Sequence, residues 1–185
     1  MAKILVFNGS PHKKGSTATL IEEVANGARS KGAEVVYYNL NDKGIIGCQS
    51  CMACRRDGVD ACVQSDYLKP MYEELKSCDG FVLGSPIYMG TWTAQSWTLI
   101  NRLYPAFDAQ FKPRYPGKKV ATVVTQGQGD ANAYRAQIDM VRGFMGRCGW
   151  EVVGDIVCGG TNAPDFAISD EMKQAAFDAG AALLD

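Results

Sequence analysis

A chain of 185 residues is long enough to bury one sizeable core, and its 46% hydrophobic and 21% charged residues are those of an ordinary globular protein. A formal net charge of -1 leaves no basic surplus to hold a polyanion, which argues against nucleic acid as a partner. With one histidine, His12, a histidine-rich zinc site or a Ser-His-Asp relay is not expected.

Strand-like apolar runs alternate with amphipathic stretches along the chain, the pattern of a parallel sheet covered on both faces. Lys3–Asn8 reads as a buried first strand. Its apolar run, Ile4 to Phe7, is too short for a signal peptide or a membrane span, so a soluble cytoplasmic protein with no membrane partner is expected. A helix follows over Thr17–Lys31, with Leu20, Ile21, Val24 and Ala28 on one stripe. Further strands are predicted over Glu34–Leu40, Gly80–Gly84, Lys119–Thr125 and Val152–Cys158. Helices are predicted over Asp66–Ser77, Thr93–Tyr104, Asn132–Cys148 and Ser169–Leu184. Right-handed crossovers between these elements give a doubly wound α/β sandwich. No repeat or linker divides it, so residues 1–185 are expected to form one domain carrying a cysteine-rich insertion at about 43–65.

Sheets of this kind bind ligands beyond the C-terminal ends of their strands, where the winding reverses. After the first strand comes Asn8-Gly9-Ser10-Pro11-His12-Lys13-Lys14-Gly15-Ser16-Thr17, rich in glycine and hydroxyls and opening into a helix. Free N–H groups and the positive end of a helix dipole favour a phosphate there. The spacing fits neither the ATP-type loop nor the dinucleotide fingerprint, and no cysteine nucleophile is present. The plainer alternative is a surface loop in which Ser16 or Thr17 caps the helix. After the third strand, residues 84–92 set aromatic and apolar groups beside glycine, where a flat ligand can approach the backbone. After the fourth, Thr125-Gln126-Gly127-Gln128-Gly129-Asp130 offers N–H groups to polar ring atoms. All three loops fall on one edge of the sheet.

The insertion carries Cys48, Cys51, Cys54 and Cys62 in the spacing C-x2-C-x2-C-x7-C. Three readings stay open: an iron–sulfur cluster gathered by the triplet with Cys62 returned by the longer link, a four-thiolate zinc site, or a loop of metal-free thiols. Cys78, Cys148 and Cys158 lack such spacing and read as small buried residues. The basic run Lys112–Lys119 reads as a solvated loop, and Glu22-Glu23 as an exposed helix face.

The segments G-S-P-H-K-K-G-S-T (9–17), G-S-P-I-Y-M-G-T-W-T-A-Q (84–95) and T-Q-G (125–127) resemble the NADPH-dependent FMN reductase family. The resemblance implies a flavodoxin-like fold with a doubly wound five-stranded parallel sheet in the order 2-1-3-4-5. It implies FMN as cofactor, with Ser10, His12, Ser16, Thr17 and Ala18 about the phosphate. Pro86, Ile87, Tyr88, Met89 and Gly90 would line the ribityl chain and ring, and Thr125, Gln126 and Gly127 the ring's polar edge. His12 departs from the arginine often found there. The cysteine segment resembles the compact motif of the iron–sulfur flavoproteins, a branch of that family, in which Cys48, Cys51, Cys54 and Cys62 would hold a [4Fe–4S] cluster. The function so implied is FMN-dependent electron transfer from NAD(P)H to a small-molecule, ferredoxin-like or quinone-like acceptor, by a homodimer or homotetramer. No side chain is expected to be catalytic in its own right, because the flavin carries the chemistry. The rival readings are an electron carrier without substrate turnover, an FMN reductase whose cysteines bind no cluster, and a zinc-stapled interaction module.

Overall fold

The computed structural model describes residues 1–42 and 44–185; Lys43, at the start of the expected insertion, lies outside the described residues. Parallel strands β1 (Lys3–Asn8), β2 (Glu34–Asn39), β3 (Gly80–Tyr88), β5 (Lys119–Thr125) and β6 (Glu151–Cys158) pair in the order β2-β1-β3-β5-β6. This is the expected 2-1-3-4-5 order of the long strands. A two-residue strand, β4 (Thr91–Trp92), is added as an antiparallel hairpin partner of β3.

Alternation along the strands feeds two cores, because successive side chains point to opposite faces. Ile4, Val6, Val82 and Val123 pack under helices α1 (Ser16–Ser30) and α5 (Asp170–Ala182). Leu5, Phe7, Phe81 and Leu83 face α2 (Met71–Ser77), α3 (Ala94–Arg102) and α4 (Arg135–Arg147). Helices α1 and α5 lie so close that a Cβ on Gly27 would strike the Phe177 carbonyl, and one on Gly180 the Val24 carbonyl.

Two elements differ from expectation. Strand β3 continues to Tyr88 although Gly84 and Pro86 suggest a loop, because Ser85 and Pro86 still pair with Val124 and Thr125. Strand β1 has ended at Asn8, opposite Gly84, so Pro86 stands where the strand has one neighbour and a missing N–H is tolerated. Helix α2 starts at Met71 rather than Asp66. Asp66 instead makes a local turn, accepting from the Leu68 N–H at 3.1 Å, and turns its carboxylate to Arg102. No helix among the described residues is long and apolar enough to cross a membrane.

Candidate functional site

The three glycine-bearing loops meet at the C-terminal edge of the sheet and are tied by short polar contacts. The Gly9 N–H donates to the Gly84 carbonyl at 2.8 Å, joining the first loop to β3. Thr93, the N-cap of α3, donates its hydroxyl to the Gly9 carbonyl at 2.8 Å. That hydroxyl also lies 3.0 Å from Ser96 Oγ and 3.2 Å from Ser85 Oγ, and all three side chains are buried. Thr17 and Thr125 face each other through their hydroxyls at 2.7 Å, fastening α1 to the end of β5. Thr17, which the resemblance sets at the phosphate, shares its hydroxyl with this buried pair.

Helix α1 begins at an N-cap glycine, Gly15, with no side-chain cap and no acidic residue in its first turn. The plainer reading, with Ser16 or Thr17 as cap, is therefore not what the chain adopts. A fifteen-residue helix with uncapped N–H groups at Ser16, Thr17 and Ala18 favours an anion. Ser10 lies beside them, buried, its Oγ accepting from the His12 N–H at 3.1 Å while the His12 side chain is exposed.

On the ring side, Pro86 and Ile87 are buried, whereas Tyr88 is exposed and Met89 fully so. Met89 and Gly90 both take left-handed backbone, φ 49° and 80°, as a two-residue hairpin turn requires. Gln126 is 1% exposed, and its side-chain N–H groups donate to the Asp130 carbonyl at 2.6 Å and the Gln128 carbonyl at 3.4 Å. Those carbonyls fix the amide's orientation and leave Oε1 buried without a partner. A buried acceptor of this kind is costly unless a donor completes it, and a flavin ring offers one. The residues fit FMN.

Among its described residues the insertion forms an arm with one short turn, Ala53–Arg55, and no strand. Cys48, Cys51, Cys54 and Cys62 line one cavity of about 260 Å³ together with Met52, Arg102 and Tyr104. Cys48 and Cys51 are exposed, and Cys54 and Cys62 buried. Burial pushes the Cys54 thiol up, and the nearby Cys62, Cys48 and Cys51 add to the rise. No carboxylate or imidazole lines the cavity. Among the described residues no three histidine, cysteine, aspartate or glutamate side chains, these thiols included, stand close enough to hold a single metal ion. Four soft donors spread around a cavity fit a cluster better than one ion. Ser50 and Met52, between the first three cysteines, both have left-handed backbone, φ 51° and 58°, a strained shape for side-chain-bearing residues.

Several residues that shape this arm escape sequence reasoning. Arg102, 1% exposed, pairs with Asp66 and also donates to the Ile46 carbonyl at 2.7 Å and Tyr72 Oη at 3.2 Å. The basic run is not simply solvated. Arg114 donates to the Cys54 carbonyl at 3.1 Å, Tyr115 to the Asp60 carbonyl at 2.6 Å, and buried Lys118 to the Cys78 carbonyl at 2.8 Å. Arg55 lies over the Phe111 ring at 3.9 Å. Cys78, Cys148 and Cys158 are buried, as their isolated positions suggest.

An anion site at a helix N-terminus, an apolar hairpin and an unfilled buried acceptor, all at the switch point of a 2-1-3-4-5 sheet, define a flavodoxin-like domain. The chain belongs to the NADPH-dependent FMN reductase family, whose profile matches residues 2–163. It is thus an FMN-dependent oxidoreductase. An iron-sulfur flavoprotein of Methanocaldococcus jannaschii is 30% identical over 153 residues, which span 83% of this chain and 76% of the relative. One from Methanosarcina thermophila is 28% identical over 153 residues, spanning 83% and 78%. Among solved structures, an NAD(P)H:quinone oxidoreductase from Methanothermobacter marburgensis superposes with a TM-score of 0.74 at 14% identity, covering 98% of this chain and 96% of that one. The azoreductase AzrA gives 0.67 at 19% identity, covering 97% of each chain. At these identities the structural likeness speaks for the fold.

Proposed function

We propose that the whole chain acts as one flavin-binding domain that takes electrons from NAD(P)H and passes them to a small-molecule, quinone-like or ferredoxin-like acceptor. A [4Fe–4S] cluster would sit in the thiol cavity as a second redox station. The observation that carries the cluster reading is the set of four thiols around one cavity, with no carboxylate or imidazole in its lining. The relatives described as iron-sulfur flavoproteins support it.

Bound FMN accepts a hydride and releases electrons singly or in pairs, and a cluster adds one-electron exchange. The N–H groups of Ser16, Thr17 and Ala18 hold the phosphate, with Ser10 alongside and His12 at the exposed rim. Pro86 and Ile87 support the wall on which Tyr88, Met89 and Gly90 face the ribityl chain and ring. Thr125 is held by Thr17, Gly127 packs against the Asn162 side chain at the ring edge, and Gln126 Oε1 would accept a hydrogen bond from the ring. Cys48, Cys51, Cys54 and Cys62 ligate the cluster.

An apolar face beside the cavity, with Met140 and Phe111 exposed around Trp97, Tyr104 and Phe144, supports assembly as a homodimer or homotetramer. Seven unpaired thiols suit a reducing cytoplasm. The test is an absorption spectrum of anaerobically purified protein, with iron and acid-labile sulfide assayed on the same sample. Flavin bands with about four irons per chain support both sites. Flavin without iron removes the cluster and keeps the reductase, and protein that takes up no FMN overturns the reading. Steady NAD(P)H oxidation with a small acceptor separates an enzyme from a carrier.

A further inference from the structure

Beneath the thiol cavity lies a buried ion pair that the flavin site does not use. Arg102 comes from the last turn of α3 and lines the cavity, whereas Asp66 comes from the returning end of the arm and does not. Their side chains are 0% and 3% exposed. Four of the five guanidinium N–H groups are engaged, by the two Asp66 oxygens, the Ile46 carbonyl and Tyr72 Oη. The fifth has no partner among the described residues. Burial is the largest single influence and acts to neutralise both groups, but the hydrogen bonds and charges around them together reverse it, lowering the pKa of Asp66 and raising that of Arg102.

The sulfur side of the cavity is connected to the same pair. The Tyr72 hydroxyl donates to the Arg102 carbonyl at 2.8 Å, and Cys62 and Arg102 line the same cavity. Gln64 Nε2 stands 3.9 Å from Cys62 Sγ. A cluster held by four thiolates is an anionic centre, and it becomes more negative on reduction. Charges and N–H donors around its sulfurs are the protein's means of setting its potential.

We propose that Arg102, balanced by Asp66, is the electrostatic positioning residue of the cysteine site: it anchors the arm through the Ile46 carbonyl and sets the redox potential of the centre the four thiols hold. This rests on the cluster reading above. The pair is asymmetric, because the cation lines the cavity and the anion lies behind it. Removing either charge therefore moves the potential in opposite directions, which a purely structural strut does not do.

The experiment uses the full chain, reconstituted anaerobically, with the cluster's midpoint potential read by a dye-mediated titration followed by electron paramagnetic resonance. Iron and sulfide are measured first on the wild type. Asp66→Asn leaves the cation unbalanced and should raise the potential; Arg102→Gln should lower it. A lone buried charge can prevent folding, so the double variant Asp66→Asn/Arg102→Gln, which leaves no unpaired charge, is measured alongside. Its potential should fall below wild type because the nearer, positive member has gone, while Arg102→Lys should stay nearest to wild type. Single variants that shift together, or a double variant at the wild-type potential, overturn the inference while the cluster reading stands. A wild type without iron overturns the cluster reading and the inference with it.

Discussion

Replacing Thr93 with valine tests whether the flavin edge is preorganised by the buried hydroxyl knot. The substitution keeps the shape of the side chain and removes one oxygen. Lost with it is the N-cap acceptor for the Ser96 N–H, at 3.3 Å, worth about 1 kcal/mol. The Gly9 carbonyl, bonded to the hydroxyl at 2.8 Å, loses that buried donor, at a cost of about 1–3 kcal/mol. The sum is a destabilisation of about 2–4 kcal/mol, or a fall in Tm of roughly 5–15 °C for a chain of this size. Because Gly9 opens the phosphate loop, FMN affinity should weaken by several-fold in the same variant. Urea unfolding followed by circular dichroism gives the first quantity, and quenching of FMN fluorescence the second. Thr93→Ser keeps the hydroxyl and serves as control. A valine variant within ~0.5 kcal/mol of wild type, the ordinary scatter for a neutral substitution, would refute the idea that this hydroxyl holds the loops together.

Four more outcomes follow from the same geometry. Gln126→Glu sets a carboxylate against the Asp130 and Gln128 carbonyls, so FMN titrations should show affinity lower by about tenfold, some 1.4 kcal/mol. Asp66 has a folded-state pKa below its unfolded value of 3.8, so its contribution is present above that pH and lost as pH falls through the lower folded value. Stability measured from pH 7 down to 3 should show this loss in wild type and not in a folded Asp66→Asn variant. In cluster-free protein at pH 8, iodoacetamide should label Cys48 and Cys51 first, since burial raises the Cys78 thiol to about 11 and the Cys148 thiol to about 12. Mass mapping of labelled peptides checks the order. Met140→Lys should shift an oligomer toward smaller species in light scattering, with the far-ultraviolet spectrum unchanged.

Local pattern was enough to read the sheet. The apolar run of β1, the stripe Leu20-Ile21-Val24-Ala28 and the glycine-rich link between them each carry their own signal, and strand β5 is copied at both ends. The three loops that meet at the C-terminal edge of the sheet are legible for the same reason, since glycines and hydroxyls in loops after strands mark backbone donors. What the sequence hides is pairing across distance. Arg102 looks like an ordinary cation at a helix end, and only the returning arm brings Asp66 to it. Arg114 and Tyr115 sit in a run that reads as solvated charge until the fold lays it along the cysteine segment. The contact of Thr17 with Thr125 does not show in the sequence, because the two lie far apart along the chain. Strand β3 reads short in the sequence because proline is a breaker only where a strand has neighbours on both sides.

The arm that carries the thiols contributes no strand to the sheet, and side-chain bonds to its carbonyls, with the Asp66 pair, tie it down. Such a segment opens as its own cooperative unit, below the free energy that unfolds the sheet. Amides at 44–62 should therefore exchange with deuterium well before those of β1, β3 and β5. In the growing protein this would separate two acts of maturation: the nucleotide pocket can close and fill while the arm is still breathing, and loading of the proposed cluster onto the thiols would not disturb it.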